Sequence, residues 1–287
     1  MIPGVSLVLC CHNMARELPR TLLSLSLAMQ RGVARSDYEI VLVDNGSRVP
    51  VDLACLGGLD ADIRLIRVMD PSPSPAAAMN IGIAAARAPL VGALIDGARM
   101  ASPGLVQGAL LASRIAERSI VLTLGFHLGP KVQMESVAEG YDQAAEDELL
   151  RSCRWEEDGY RLFDVSVLAG SSSGGWFAPM SESNALFMRR GLWLELGGYD
   201  ERFRSPGGGY VNLDMLARAL ELPGITPVTL LGEATFHQVH GGAATNSPAE
   251  ARVPMREEYR VIRGRAFRRP VYRSFYFGSG GLTHWPA

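Results

Sequence analysis

The sequence predicts an α/β protein built on a sheet of parallel strands joined by crossover helices. Three observations carry this. Over the first hundred residues, short aliphatic and β-branched runs alternate with longer amphipathic ones. Each short run ends in polar residues: His12-Asn13, Asp44-Asn45-Gly46-Ser47, Asp70-Pro71 and Asp96-Gly97. And 47% of the 287 residues are apolar, enough for one large domain or two closely packed lobes.

Taken in order, Val5 to Cys10 reads as the first strand, Leu18 to Met29 as a helix and Glu39 to Val43 as the second strand. Residues 63 to 68 form a third strand, Ala76 to Ala86 a second helix and Leu90 to Ile95 a fourth strand. Pro103 to Ser113 reads as a helix with Ser102 as its N-cap and Pro103 in its first turn. Val121 to Phe126 is a further strand. Glu146-Asp147-Glu148 sit on a helix running to about Arg154, where a solvated acidic face is the simplest expectation. A flexible Ser171-Ser172-Ser173-Gly174-Gly175-Trp176 segment follows. Another helix begins near Arg190, and Gly207-Gly208-Gly209 precedes an apolar helix from Val211 to Glu221.

Composition narrows the function. The net charge of −2 supplies no basic field, which argues against a nucleic-acid partner. The four cysteines, Cys10, Cys11, Cys55 and Cys153, lack paired metal spacing and read as reduced and structural. The start has no charged leader or small-residue cleavage site, and no run of eighteen apolar residues occurs, so a cytoplasmic protein is expected.

In open α/β sheets ligands bind beyond the carboxyl ends of the strands, so the polar strand ends are the candidate site. Asp44 either accepts hydrogen bonds from a base or ribose or braces its own Asp-Asn-Gly-Ser turn. Asp96 either meets a sugar hydroxyl or a divalent cation, or merely closes a turn before Gly97.

Further on come Ser183-Asn184-Ala185-Leu186-Phe187-Met188-Arg189-Arg190 and Leu196-Gly197-Gly198-Tyr199-Asp200-Glu201-Arg202-Phe203. With Val5 to Asn13, Ile40 to Ser47 and Met79 to Ala86, these segments resemble family 2 glycosyltransferases over residues 4 to 242. The resemblance implies a Rossmann-like type A glycosyltransferase fold, a mixed central sheet flanked by helices. Residues 1–245 would form the catalytic domain, with a nucleotide half at 1–100, an acceptor half at 101–245, and a C-terminal extension at 246–287 packed on it. It implies a nucleoside-diphosphate sugar donor, UDP-linked, and a saccharide, lipid-linked or small-molecule acceptor, in a polysaccharide-type biosynthesis.

Carried over by position, His12 and Asn13 would line the nucleotide pocket, Asp44 would hold the base or ribose, Asn80 would contact the donor, and Asp96 would be the first acid of the family's Asp-x-Asp element. Asp200 falls where the family places an acid near the acceptor. Two departures stand out. The second acid of Asp-x-Asp, which would ligate Mn²⁺ or Mg²⁺, is replaced by Ala98 and Arg99, and Arg99 is suited to a diphosphate. His237 and His240 are further metal candidates; they face one ion together only if their strand has ended, as Gly241-Gly242 suggests. The Glu-Asp pair that supplies the family's base is also missing, with Gly209 and Tyr210 in its place. Asp214 and Glu182 are the alternative bases, with inversion favoured.

Trp176 either stacks on a sugar and closes over the donor or is a core tryptophan. The arginine- and aromatic-rich tail from Arg260 to Phe277 either packs within the fold, joins a homo-oligomer, or touches an anionic membrane from the periphery. Two rivals remain. One is a glycosyltransferase-like protein that binds nucleotide sugar without turnover. The other is a nucleotidyltransferase, which would want a glycine-rich phosphate loop that His12 to Arg16 lacks.

Overall fold

A computed structural model describes residues 2–56, 59–242 and 252–278. The side chain of Cys55 and residues 246–251 and 279–287 of the expected extension lie outside the described residues.

The first half runs β1 (Val5–Cys11), α1 (Glu17–Ser24), β2 (Tyr38–Asp44), β3 (Ile63–Arg67), α2 (Ala76–Ala85), β4 (Leu90–Leu94), β5 (Arg99–Ala101) and α3 (Leu105–Ala112). The second half runs β6 (Ser119–Leu128), α4 (Gln133–Ala138), α5 (Gln143–Cys153), β7 (Ser166–Leu168), β8 (Leu186–Arg189), α6 (Arg190–Leu196), α7 (Val211–Glu221), β9 (Thr226–His237), α8 (Val253–Arg263) and β10 (Phe275–Gly278). One mixed sheet orders its strands β10-β9-β6-β8-β4-β1-β2-β3, with β5 beside β9 and β7 beside β6.

The strands β4, β1, β2 and β3 pair in parallel. β8 runs antiparallel to both β4 and β6. β1, β2 and β4 are buried along their whole length, which is why they read as unbroken apolar runs rather than alternating ones. One apolar cluster built on Val8, Val43, Met79 and Trp193 covers one face, and another built on Leu7, Leu42, Leu22 and Leu105 covers the other. Gly82 shows how tightly α2 lies on the sheet: a Cβ there would meet Val8 Cγ1 at 2.4 Å and Val43 Cγ2 at 2.9 Å.

Three expectations are corrected. The first helix ends at Ser24, whose hydroxyl donates to Thr21 O and accepts from Ala101 N, so the chain turns there instead of continuing to Met29. Ser102 does not cap α3; its hydroxyl donates to Glu233 Oε2 at 2.5 Å and accepts from Ala234 N. The acidic face of α5 is not simply solvated, because Glu146 is fully buried against the Arg16 guanidinium. Among the described residues, no helix is long and apolar enough to cross a membrane.

Candidate active site

The carboxyl ends of β1 and β4 open into a cleft of about 650 Å³. Its walls bring His12, Asn13 and Asn45 from the β1 and β2 ends together with Asp96, Arg99, Glu182, Asn212, His237 and His240. β9 stops at His237, so the backbone is released before His240 and both imidazoles turn to one point. His237 Nε2 lies 2.9 Å and His240 Nε2 3.2 Å from Asp96 Oδ2, and the two Nε2 atoms are 3.2 Å apart.

The His237 ring is set from behind. Its Nδ1 meets Gln133 Oε1 at 2.5 Å, while Gln133 Nε2 donates to Gln238 O. An amide oxygen only accepts, so Nδ1 carries the proton and the Nε2 lone pair faces Asp96 and His240. Burial pushes His237 down to about 4, so it is neutral at pH 7. Burial would raise the Asp96 carboxyl, but the charge of His240 and its hydrogen bond, with His237 beside them, outweigh it and hold it well below the usual carboxylate range. For His240 burial lowers the pKa, and Asp96 more than compensates, leaving it raised. The turn is braced by α5, where Glu146 Oε2 accepts from Val239 N at 2.8 Å. It is braced also by α1, where Gln238 Nε2 donates to Glu17 O and Thr21 Oγ1.

Arg99, the β5 partner of His237 and only 6% exposed, donates from NH1 to Asn184 Oδ1 and lies 3.6 Å from Glu182 Oε1; its Nε has no partner among the described residues. Asn212, in the first turn of α7, donates to the same Glu182 oxygen at 3.3 Å. His12 Nδ1 pairs with Asn45 O, and Asn13 adopts a left-handed backbone that lets its Oδ1 accept from Arg48 N.

Other sequence candidates lie outside the cleft walls. Asp44 is buried, and its oxygens accept from Ser47 N and Val51 N, so it braces its own turn while its neighbour Asn45 faces the cleft. Asn80 bonds Tyr199 N, Tyr199 O and Glu201, tying α2 to the Gly198-Tyr199 turn. Asp200 is held by Arg202 and Arg263. Asp214 is 1% exposed and held by Arg218 and Arg263. Trp176, half-buried in a turn, packs against the core on Phe126 and Phe163 with ring centroids 6.1 and 6.3 Å apart. Asn45, Asn212 and Gln133 were missed, because amides at turns and helix starts carry no spacing signal. The Cys10 and Cys11 thiols line the cleft floor, but burial pushes Cys11 up to about 12 and raises Cys10 as well, so neither is a nucleophile.

Residues 6–101 match the sequence family described as "Glycosyl transferase family 2". Over those residues the chain is similar to that family. The fold agrees. Solved structures similar to it include S. aureus TarS 1-349 in complex with UDP-GlcNAc, at 15% identity and TM-score 0.57, covering 90% of this chain and 65% of that one. The same protein in complex with UDP gives 15% and 0.56, covering 91% and 66%, and a further TarS 1-349 structure gives 12% and 0.54, covering 90% and 64%. This chain thus spans a little under two thirds of those chains. No curated protein matches it by sequence. Within the matched segment the ends of β1 and β4 supply His12, Asn13 and Asp96, while Glu182, His237 and His240 come from beyond it.

Proposed function

We propose that this protein transfers a sugar from a nucleoside-diphosphate sugar, UDP-linked, to a hydroxyl of a glycan, glycolipid or small-molecule acceptor, with inversion at the anomeric carbon. The single observation that carries the reading is the convergence of Asp96, His237 and His240 at the floor of a cleft of substrate size, beside the strand ends where α/β proteins take nucleotides. TarS, of the same fold, has been crystallised with UDP and with UDP-GlcNAc, which supports a UDP-linked donor.

The three side chains fit a divalent cation. With His240 deprotonated, two imidazole lone pairs and a carboxylate oxygen converge on one point, which is the donor set of a divalent cation. Their separations of 2.9, 3.2 and 3.2 Å match neighbouring ligands of an octahedral ion with bonds of about 2.1 Å, which stand about 3.0 Å apart. Mn²⁺ or Mg²⁺ held by Asp96, His237 and His240 would neutralise the diphosphate as it departs. Gln133 orients His237 for that role. Arg99 adds a fixed cation to the same wall where the family has its second acid. His12, Asn13 and Asn45 receive the nucleoside, with Asp44 fixing their loop.

The reaction is cytoplasmic on this reading. The tail supports a peripheral contact with anionic membrane or with a second copy, since exposed Arg268, Arg269 and Arg273 alternate with exposed Val271 and Phe275. A binding protein without turnover is the second reading, favoured by Ala98 and Arg99 in place of the second acid and by Gly209 and Tyr210 in place of the Glu-Asp pair. Calorimetric titration of UDP, GDP and TDP and their sugars, with Mn²⁺ and with EDTA, alongside a donor-hydrolysis assay, decides. Metal-dependent binding with slow hydrolysis is expected; binding without turnover supports the second reading, and no binding refutes both.

A further inference from the structure

Only two carboxylates, Asp96 and Glu182, line the cleft among the described residues, and Asp96 is committed to the two histidines. The acids elsewhere that sequence spacing offered are consumed: Asp214 by Arg218 and Arg263, Asp200 by Arg202 and Arg263. Glu182 differs from them in the way its two oxygens are used. Oε1 accepts from Asn212 Nδ2 at 3.3 Å and sits 3.6 Å from the Arg99 guanidinium. Oε2 accepts no hydrogen bond among the described residues, and the side chain is 26% exposed on the cleft wall. One oxygen is therefore anchored and the other is presented to the cleft. Its backbone is fixed too, because Glu182 O accepts from Asn184 Nδ2 and Ser183 is tied through N and Oγ to Asn212 O.

We propose that Glu182 is the general base of the transfer, relocated from the start of α7 to the segment before β8, with Asn212 and Arg99 as its positioning residues. The proposal rests on the donor reading above. The acceptor hydroxyl gives its proton to Glu182 Oε2 as its oxygen bonds to the anomeric carbon. The bond from that carbon to the diphosphate breaks, and the electron pair leaves with the nucleoside diphosphate. An acid at position 212 would repel Glu182, whereas the Asn212 amide N–H holds it.

The test uses the full chain and UDP-GlcNAc, or whichever UDP-, GDP- or TDP-sugar the titration selects, with water as acceptor and nucleoside-diphosphate release as readout. Glu182→Gln is expected to lower the rate about 10²–10⁴-fold while the UDP Kd stays within about threefold and the acid limb of the pH–rate profile disappears. Sodium azide is the second arm. Azide is already an anion and needs no base, so it is expected to restore release of the nucleoside diphosphate in Glu182→Gln, with a glycosyl azide as the other product. A purely structural glutamate would give no azide rescue. Glu182→Asp, which keeps a carboxylate, guards against a folding defect and is expected to retain part of the rate. Wild-type hydrolysis in Glu182→Gln, loss without azide rescue, or wild-type nucleotide binding with no release would overturn the proposal. Failure of wild-type protein to bind any nucleotide would instead overturn the donor reading.

Discussion

Replacing Asp214 by Asn tests whether that acid belongs to the chemistry or to the frame. Its carboxylate is 1% exposed and accepts from Arg218 Nε at 2.8 Å and from Arg263 NH2 at 2.7 Å, with Arg263 Nε also bonded. These bonds tie α7 to the end of α8. Removing one partner of a buried charge network costs about 3–5 kcal/mol. Asn keeps one acceptor oxygen and belongs at the lower end, and Ala at the upper. Unfolding entropy of about 2.1 cal/mol/K per residue over 287 residues gives about 0.6 kcal/mol/K, so Asn should lower Tm by about 5 °C and Ala by about 8 °C. Differential scanning calorimetry reads the shift, and donor hydrolysis at 20 °C reads the chemistry. The expected pair of results is a lowered Tm with a rate within about threefold of wild type. An unchanged Tm with a rate reduced a hundredfold or more would refute the structural assignment and return Asp214 to the catalytic machinery.

Two further outcomes follow from the braces around the histidine turn. Burial raises the Glu146 carboxyl to about 7, against the bonds from Val239 N and Arg16 that favour its charge. A raised acid binds more protons folded than unfolded between about 4.5 and 7, so it costs stability as pH rises through that window. Glu146→Gln, which does not titrate, should therefore gain Tm relative to wild type between pH 4.5 and 7.5; a difference that stays constant or reverses contradicts the burial account. Gln133→Ala removes the acceptor that fixes the His237 tautomer, and Mn²⁺-dependent UDP affinity should fall about 10–100-fold with little change in affinity under EDTA. Equal loss in both conditions would show that Gln133 acts on the nucleotide and not through His237.

How much of this was legible in the sequence depends on the range of the interaction involved. β1, β2 and β4 were readable because parallel strands buried on both faces are apolar throughout, and α7 was placed at Val211 and Glu221 by its apolar period. The expected join of His237 with His240 was readable because Gly241-Gly242 marks the end of a strand. The end of α1 was not, because Ser24 turns the chain by bonding Ala101, 77 residues away. Trp176 lies in a turn, as its glycine and serine neighbours suggest, but the rings it packs on, Phe126 and Phe163, come from other elements and carry no local signal. Asp44, Asn80, Asp200 and Asp214 all have the residue type of a binding group. What settles their use is whether a backbone amide or an arginine happens to lie within 3 Å, and for Asp214 that arginine arrives from α8, 49 residues later. Conversely Asn45 and Asn212 enter the cleft because of where β2 ends and α7 begins.

The most direct measurement is a crystal structure of the protein with UDP and Mn²⁺, with data collected at the manganese absorption edge. The account predicts an anomalous peak bonded to Asp96 Oδ2, His237 Nε2 and His240 Nε2, with the diphosphate on its open side and the uridine over His12, Asn13 and Asn45. A nucleotide bound elsewhere, or manganese found away from those three side chains while the diphosphate occupies the cleft, would contradict it.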